Sequence, residues 1–218
     1  METRYWKFNK SLGLFTIKVD ETTPGAVKYE QAMCDGGFKW QLQVPKLAGH
    51  IESLYIEDNK FGQQFCIGLQ NGSGVDVAKV QTHSQKTSWP TGEYAYLAKR
   101  IMNFDMDRVL ELKAAKFPGK KDGKPTGYDV CRVFPHQGGR KAVEEYLTKD
   151  KQPKLFPVKV GSKEVWDTEP LFKALEEQVE AFNSANKGKL DEAKANREPT
   201  ESEKAAAQSN DVLADCPF

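Results

Sequence analysis

The chain has 218 residues, is 39% hydrophobic, 11% aromatic and 29% charged, and carries a formal net charge of +1. Such a composition can bury a core, which excludes wholesale disorder. The near balance of 32 Lys and Arg against 31 Asp and Glu excludes a uniformly basic coat. No apolar run approaches the ~18 residues of a membrane span, and Met1 to Lys7 have no apolar signal core behind them. A cytoplasmic protein is expected.

The first ~90 residues read as strands by their alternation. Phe15, Ile17 and Val19 alternate with Thr16 and Lys18, and Phe38, Trp40, Leu42 and Val44 with Lys39, Gln41 and Gln43. Leu54 and Ile56 flank Tyr55; Phe65, Ile67 and Leu69 follow, and Val75 and Val77 begin another run. Turn residues separate the runs at Pro24-Gly25, Asp35-Gly36-Gly37, Asp58-Asn59-Lys60 and Asn71-Gly72-Ser73-Gly74. A helix capped by Thr91 is predicted next, with Tyr94, Leu97, Ala98, Ile101 and Met102 on one face. Two strands come after it, at 108–117 and 128–134, joined by a long basic loop at 118–127. A short helix is expected at 140–147 and a longer one from Pro170 to Asn183. The latter is capped by Asp167 or Thr168 and has Leu171, Leu175, Val179 and Phe182 as its stripe. The predicted class is therefore mainly β. A helix ahead of the last two strands is the order of the OB-fold barrel.

From Lys187 onward the composition changes. The only aromatic residue in 187–218 is Phe218, and Pro199 and Pro217 interrupt any long helix. Such a segment buries too little to offset its ordering entropy. The predicted organisation is one domain over residues 1–186 and a flexible tail over 187–218. Residues 198–218 carry five carboxylates against Lys204, a net of −4, which leaves the preceding body at about +5.

The chain ends Asp211-Val212-Leu213-Ala214-Asp215-Cys216-Pro217-Phe218. A terminal ring can fill an apolar pocket while the free carboxylate pairs with a cation at its rim. Pro217 restricts the chain ahead of the ring and lowers the ordering cost. This ending resembles that of bacterial and phage single-stranded DNA-binding proteins, the phage T7 type included. The matching positions are Asp215, Pro217 and Phe218, with Asp211 more distant. Cys216 stands where the bacterial proteins have an aliphatic residue, and an unbroken acidic run is missing. The resemblance implies an OB-fold body that binds single strands without reading sequence, in phage replication, recombination and repair. It implies that Asp211, Asp215, Pro217 and Phe218 recruit polymerase, helicase, nuclease or recombinase partners, and that the tail competes with DNA for the groove.

Candidate DNA contacts follow from charge and rings. Lys113, Lys116, Lys120, Lys121 and Lys124 surround the basic hairpin, with Asp122 opposing them. Clustered ammonium groups release counterions from a phosphate backbone. Stacking on an exposed ring is worth ~1–3 kcal/mol per base whatever the base. Tyr55, Trp89, Tyr128 and Arg132 are the groove candidates, with Trp6 and Lys7 behind them. Phe15, Phe38, Trp40 and Phe65 lie on apolar faces and are expected in the core.

Signals for an enzyme fail on spacing. His50-Ile51-Glu52 lacks the Pro-Cys-x-x-Cys of a zinc deaminase. Gly119 to Pro125 lacks the Ser or Thr of a phosphate loop. Cys34, Cys66, Cys131 and Cys216 form no Cys-x-x-Cys pair, and His50, His83 and His136 are scattered. Reduced thiols, no metal, no cofactor and no catalysis are expected. The rival readings are an RNA-binding or recombination-mediator protein on the same barrel, a nuclease using Asp105 and Asp107, and an adaptor with solvated lysines. The oligomeric state is left open, a homodimer included.

Overall fold

The computed structural model describes residues 2–30, 38–59, 62–83, 89–121, 124–139 and 141–195. Seven strands precede the first helix: β1 (Glu2–Asn9), β2 (Leu14–Val19), β3 (Val27–Glu30), β4 (Phe38–Val44), β5 (Lys46–Asn59), β6 (Gly62–Asn71) and β7 (Gly74–Gln81). After them come α1 (Gly92–Ala98), a 3-10 turn at Ile101–Asn103, β8 (Leu110–Lys121) and β9 (Lys124–His136). A small hairpin of β10 (Pro157–Val160) and β11 (Lys163–Trp166) leads to α2 (Glu169–Ala185) and α3 (Lys187–Ala195).

The first nine strands form one sheet in the order β3-β4-β2-β1-β7-β6-β5-β8-β9. All neighbours are antiparallel except β1 and β7, which run parallel from Glu2↔Gly74 to Lys7↔Lys79. β5 serves two partners. Residues 46–49 pair with β8, and the strand from His50 onward pairs with β6. Gly49 sits at the changeover, where a Cβ would stand 2.4 Å from the Gln70 carbonyl oxygen. Only glycine lets the two backbones approach so closely.

The closed barrel of the sequence reading is not what forms. The sheet stays open, with β3 and β9 as its ends. The free edge of β7 is occupied by β1, so β9 has no strand left there to join. The β8–β9 hairpin meets the turn between β1 and β2 instead. The Cys131 thiol donates to the Lys10 carbonyl at 2.8 Å, and Lys116 Nζ donates to the Ser11 carbonyl at 3.3 Å.

One core lies between the sheet and the helices. Trp6, Phe15, Leu54, Phe65, Ile67, Leu110, Leu112 and Val133 from the strands pack with Tyr94 and Leu97 of α1. Leu175, Val179 and Phe182 of α2 close it, as the sequence stripe predicts. Phe15 and Phe65 are buried as expected, whereas Trp40 is half-buried and the Phe38 side chain lies outside the described ones. Thr91 caps α1 by accepting from the Tyr94 N–H, and its hydroxyl donates to the Gln81 carbonyl.

Three local expectations change. The 118–127 loop is ladder almost to its tip, with Lys120↔Pro125 and Lys121↔Lys124 paired beyond a bulge at Pro118. No helix forms at 140–147 among the described residues; the segment straps across the end of α1. The Tyr146 and Leu147 amides both donate to the Lys99 carbonyl, and the Val143 amide donates to Pro135. A carbonyl left open at a helix end takes partners readily, and these amides are then unavailable to a helix of their own. The third change is α3, which occupies the first nine residues of the segment expected as tail. Leu190 is buried and Lys189 pairs with Asp107 at 2.6 Å, which anchors this short helix to the body. Asp211, Asp215, Pro217 and Phe218 lie outside the described residues.

Among the described residues no helix is long and apolar enough to cross a membrane.

Candidate nucleic-acid interface

Strand alternation sends every second side chain of the sheet away from the core. On β1 the inward residues are Trp6 and Phe8, so Tyr5 and Lys7 point outward. The register then builds a transverse row on this outer face: Tyr55↔Cys66, Cys66↔Lys79, Lys79↔Lys7, Lys7↔Thr16 and Thr16↔Gln43. Six strands contribute, and at the usual ~4.8 Å between strands the row spans about 24 Å. Beside it, Tyr5 faces Val77, and Lys18 pairs with Gln41, which pairs with Val27.

The charges on this face are unequal. Lys79 Nζ lies 2.6 Å from Glu57 and 4.5 Å from the centroid of the Tyr5 ring. Lys7 and Lys18 are exposed and have no ion pair among the described residues. Lys79 is already held by Glu57, so the positive charge of this face that is open to an incoming anion is that of Lys7 and Lys18. Tyr5 is 49% exposed and Tyr55 is half-buried against Cys66, Val75 and Val77. Exposed rings among cations give stacking and phosphate contact together.

Burial, followed by the nearby Glu57 carboxylate, pushes the Cys66 thiol up to about 12. Burial also raises the Tyr55 phenol well above its usual range, with Cys66 and Glu57 adding to it. Both groups are neutral at physiological pH, and Cys66 is no nucleophile there. The folded state holds on to protons that the unfolded chain gives up. Stability is therefore complete below about pH 9, where the unfolded thiol is still protonated, and is lost as pH rises toward 12. Tyr94, raised by burial, acts in the same direction. Urea midpoints should be level from pH 7 to about 8.5 and fall from there to about 11, and Cys66→Ala should delay the fall.

The hairpin residues named from sequence sit elsewhere. Tyr55 is six residues beyond Gly49, about 20 Å along β5 at ~3.3 Å per residue. The β8–β9 tip points the opposite way, since Lys46 pairs with Lys113 and Gly49 with Leu110. Lys113 is bridged to Glu111 at 2.9 Å and Lys116 to Asp129 at 3.0 Å. Lys124 is exposed, and Tyr128 is 67% exposed. For Lys120 and Lys121 the backbone is described and the side chains are not. Arg132 lies over Gly92, where any Cβ would strike its guanidinium. Beyond it runs a ladder of rings: Phe117 beside Phe134, Phe134 edge-on to Tyr96, and Arg100 stacked 3.5 Å from the centroid of Tyr96. Trp89 is 39% exposed on the segment leading to Pro90.

No family model, no curated protein and no solved structure matches this chain.

Asp105 and Asp107, the pair of the nuclease reading, are both engaged by cations. Asp105 bonds Arg108 at 3.2 Å and accepts from the Asp107 amide, and Asp107 bonds Lys189. Among the described residues no three His, Cys, Asp or Glu side chains gather as metal ligands would. Cys66 and Cys131 are free thiols and buried.

Sequence reasoning flagged Tyr55 and Lys7 of this face and missed Tyr5, Lys18 and Lys79. The signal for Tyr5 was present in the alternation of Arg4-Tyr5-Trp6-Lys7-Phe8. The parallel pairing of β1 with β7 that brings Lys7 beside Lys79 leaves no trace in either strand.

Proposed function

We propose that the protein binds single-stranded DNA without reading its sequence, along the outer face of the sheet, and acts in phage DNA replication, recombination and repair. The observation that carries this reading is the set of lysines and tyrosines on the outer face of the sheet, with Tyr5, Lys7 and Lys18 exposed and Tyr55 and Lys79 partly buried beside them. The strand order supports it. β7-β6-β5-β8-β9, with α1 between β7 and β8, is the order of an OB-fold whose closing edge has been taken by β1. OB-folds bind through the face of their second and third strands and the loop between the last two. The equivalents here are β6, β7 and the β8–β9 hairpin with Lys124 and Tyr128. No catalytic step is part of the reading. The acidic tail recruits replication and recombination enzymes through Phe218 in the cytoplasm of the host.

The test is a fluorescence titration with a labelled oligonucleotide, single-stranded and then duplex, over a range of salt. The single strand should bind more tightly, with log K falling by about 0.7 per phosphate contact for each decade of salt. Equal binding of duplex, or none at low salt, overturns the reading. Removing residues 196–218 should tighten binding and abolish capture of partner enzymes, whereas Phe218→Ala should impair capture alone. Unchanged affinity on removal refutes competition by the tail.

A further inference from the structure

The outer face also contains a cavity of about 420 Å³ between β1, β2, β3 and β4. Thr3, Tyr5, Lys7, Lys18, Tyr29 and Gln41 line it. Gln41 is 3% exposed, yet its Nε2 has no hydrogen-bond partner among the described residues. The Thr3 hydroxyl is likewise buried and without a partner. Folds rarely keep a buried amide or hydroxyl unsatisfied, because each forfeits the water it gave up. Two residues with such atoms line one cavity together with two tyrosines and two lysines, and that cavity has the makings of a site completed by a ligand.

We propose that this cavity is a nucleobase subsite. It takes one base of the bound strand edge-on, so the inference rests on the single-strand reading above. Gln41 Nε2 donates to a ring carbonyl, and the Thr3 hydroxyl accepts from the adjacent ring N–H. Thymine offers that pair of groups side by side. Tyr5 and Tyr29 supply faces for the ring, and Lys7 and Lys18 hold the phosphates on either side. Backbone and stacking contacts bind any strand. This pocket adds a contact that depends on the edge of the base.

The experiment uses the full-length protein and two short strands, oligo-dT and the same strand carrying 2,4-difluorotoluene in place of thymine. That analogue keeps the shape of the base and lacks both the carbonyl oxygens and the N–H. The wild type should favour oligo-dT by roughly three- to tenfold, the range of a neutral hydrogen bond or two. Gln41→Met should bring the ratio close to one, and Thr3→Val should narrow it. Differences in how the free strands stack enter the ratio of every variant alike, so they cancel when the ratios are compared between variants. The amide has no partner among the described residues, so Gln41→Met should not lower Tm; should it do so, Thr3→Val reads the same ratio. A ratio left unchanged by both substitutions overturns the subsite while strand binding stands. Failure of the wild type to bind either strand at low salt overturns the subsite and the function together.

Discussion

Reversing two charges, Lys7→Glu with Lys18→Glu, should weaken single-strand binding by about a hundredfold at low salt. Both side chains are exposed and have no ion pair among the described residues, so their exchange removes no internal contact. Each lysine that meets a phosphate releases one condensed cation, and each glutamate in its place repels the strand as well. The salt dependence should flatten by about 1.4 on the log–log slope, at ~0.7 per lost contact. Loss should be similar for dT, dC and dA strands, since phosphate contacts carry no sequence information. Titration at several salt concentrations checks all three statements, and an unchanged Tm shows that the fold is intact. The control is Lys113→Glu with Lys116→Glu. Those cations already hold Glu111 and Asp129, so little of their charge is available to DNA. If the hairpin pair proves the more damaging, the strand runs over β8 and β9 and the sheet face is not its path.

How much of this was readable depends on what each residue needed from its neighbours. The α2 stripe of Leu171, Leu175, Val179 and Phe182 is a local property, and the helix forms where the pattern places it. The cap at Thr91 is equally local. Strand faces were less secure. Val75 and Val77 mark β7 as a strand, but they sit on the outer side with Cys66 and Tyr55, while Asp76 and Ala78 face the core. A polar residue between two valines reads as the solvent side, and only long-range partners turn it toward the core, while the valines are buried in a second small cluster on the other face. The lysines of the hairpin were visible as a charge cluster, yet Glu111 and Asp129 that neutralise two of them are brought alongside by the fold. The sheet order itself depends on β1 and β7, whose paired residues are 72 positions apart in sequence, as Glu2↔Gly74 and Lys7↔Lys79 are. That pairing is what opens the barrel and assembles the outer face.

Asp76→Ala should be the most destabilising exchange of a polar residue, costing about 3–5 kcal/mol. The Asp76 carboxylate is 5% exposed and accepts four hydrogen bonds. Oδ1 takes the Trp6 indole N–H and the Arg4 Nε, each at 2.8 Å. Oδ2 takes Arg4 Nη2 at 3.1 Å and Asn71 Nδ2 at 2.7 Å. Removal leaves the buried indole donor unpaired and the Arg4 guanidinium, already half out of water, without its counterion. The cost of breaking such a network exceeds what the intact pair contributes, because the partners stay desolvated. Asp76→Asn should cost less, since one oxygen still accepts from Trp6, but its amide would confront Arg4 or Asn71 donor to donor. Against a total stability of about 5–15 kcal/mol, the alanine variant should be marginally folded at 37 °C. Urea unfolding gives the size of the loss, and hydrogen exchange gives its place. Because Arg4 pairs with Asp76 in the parallel ladder, the amides of β1 should lose protection before those of β5 and β6. β1 carries Tyr5 and Lys7, so single-strand affinity should fall with the protection of β1, even at temperatures where the rest of the sheet remains folded. Affinity that survives the release of β1 would place the DNA on the remaining strands alone.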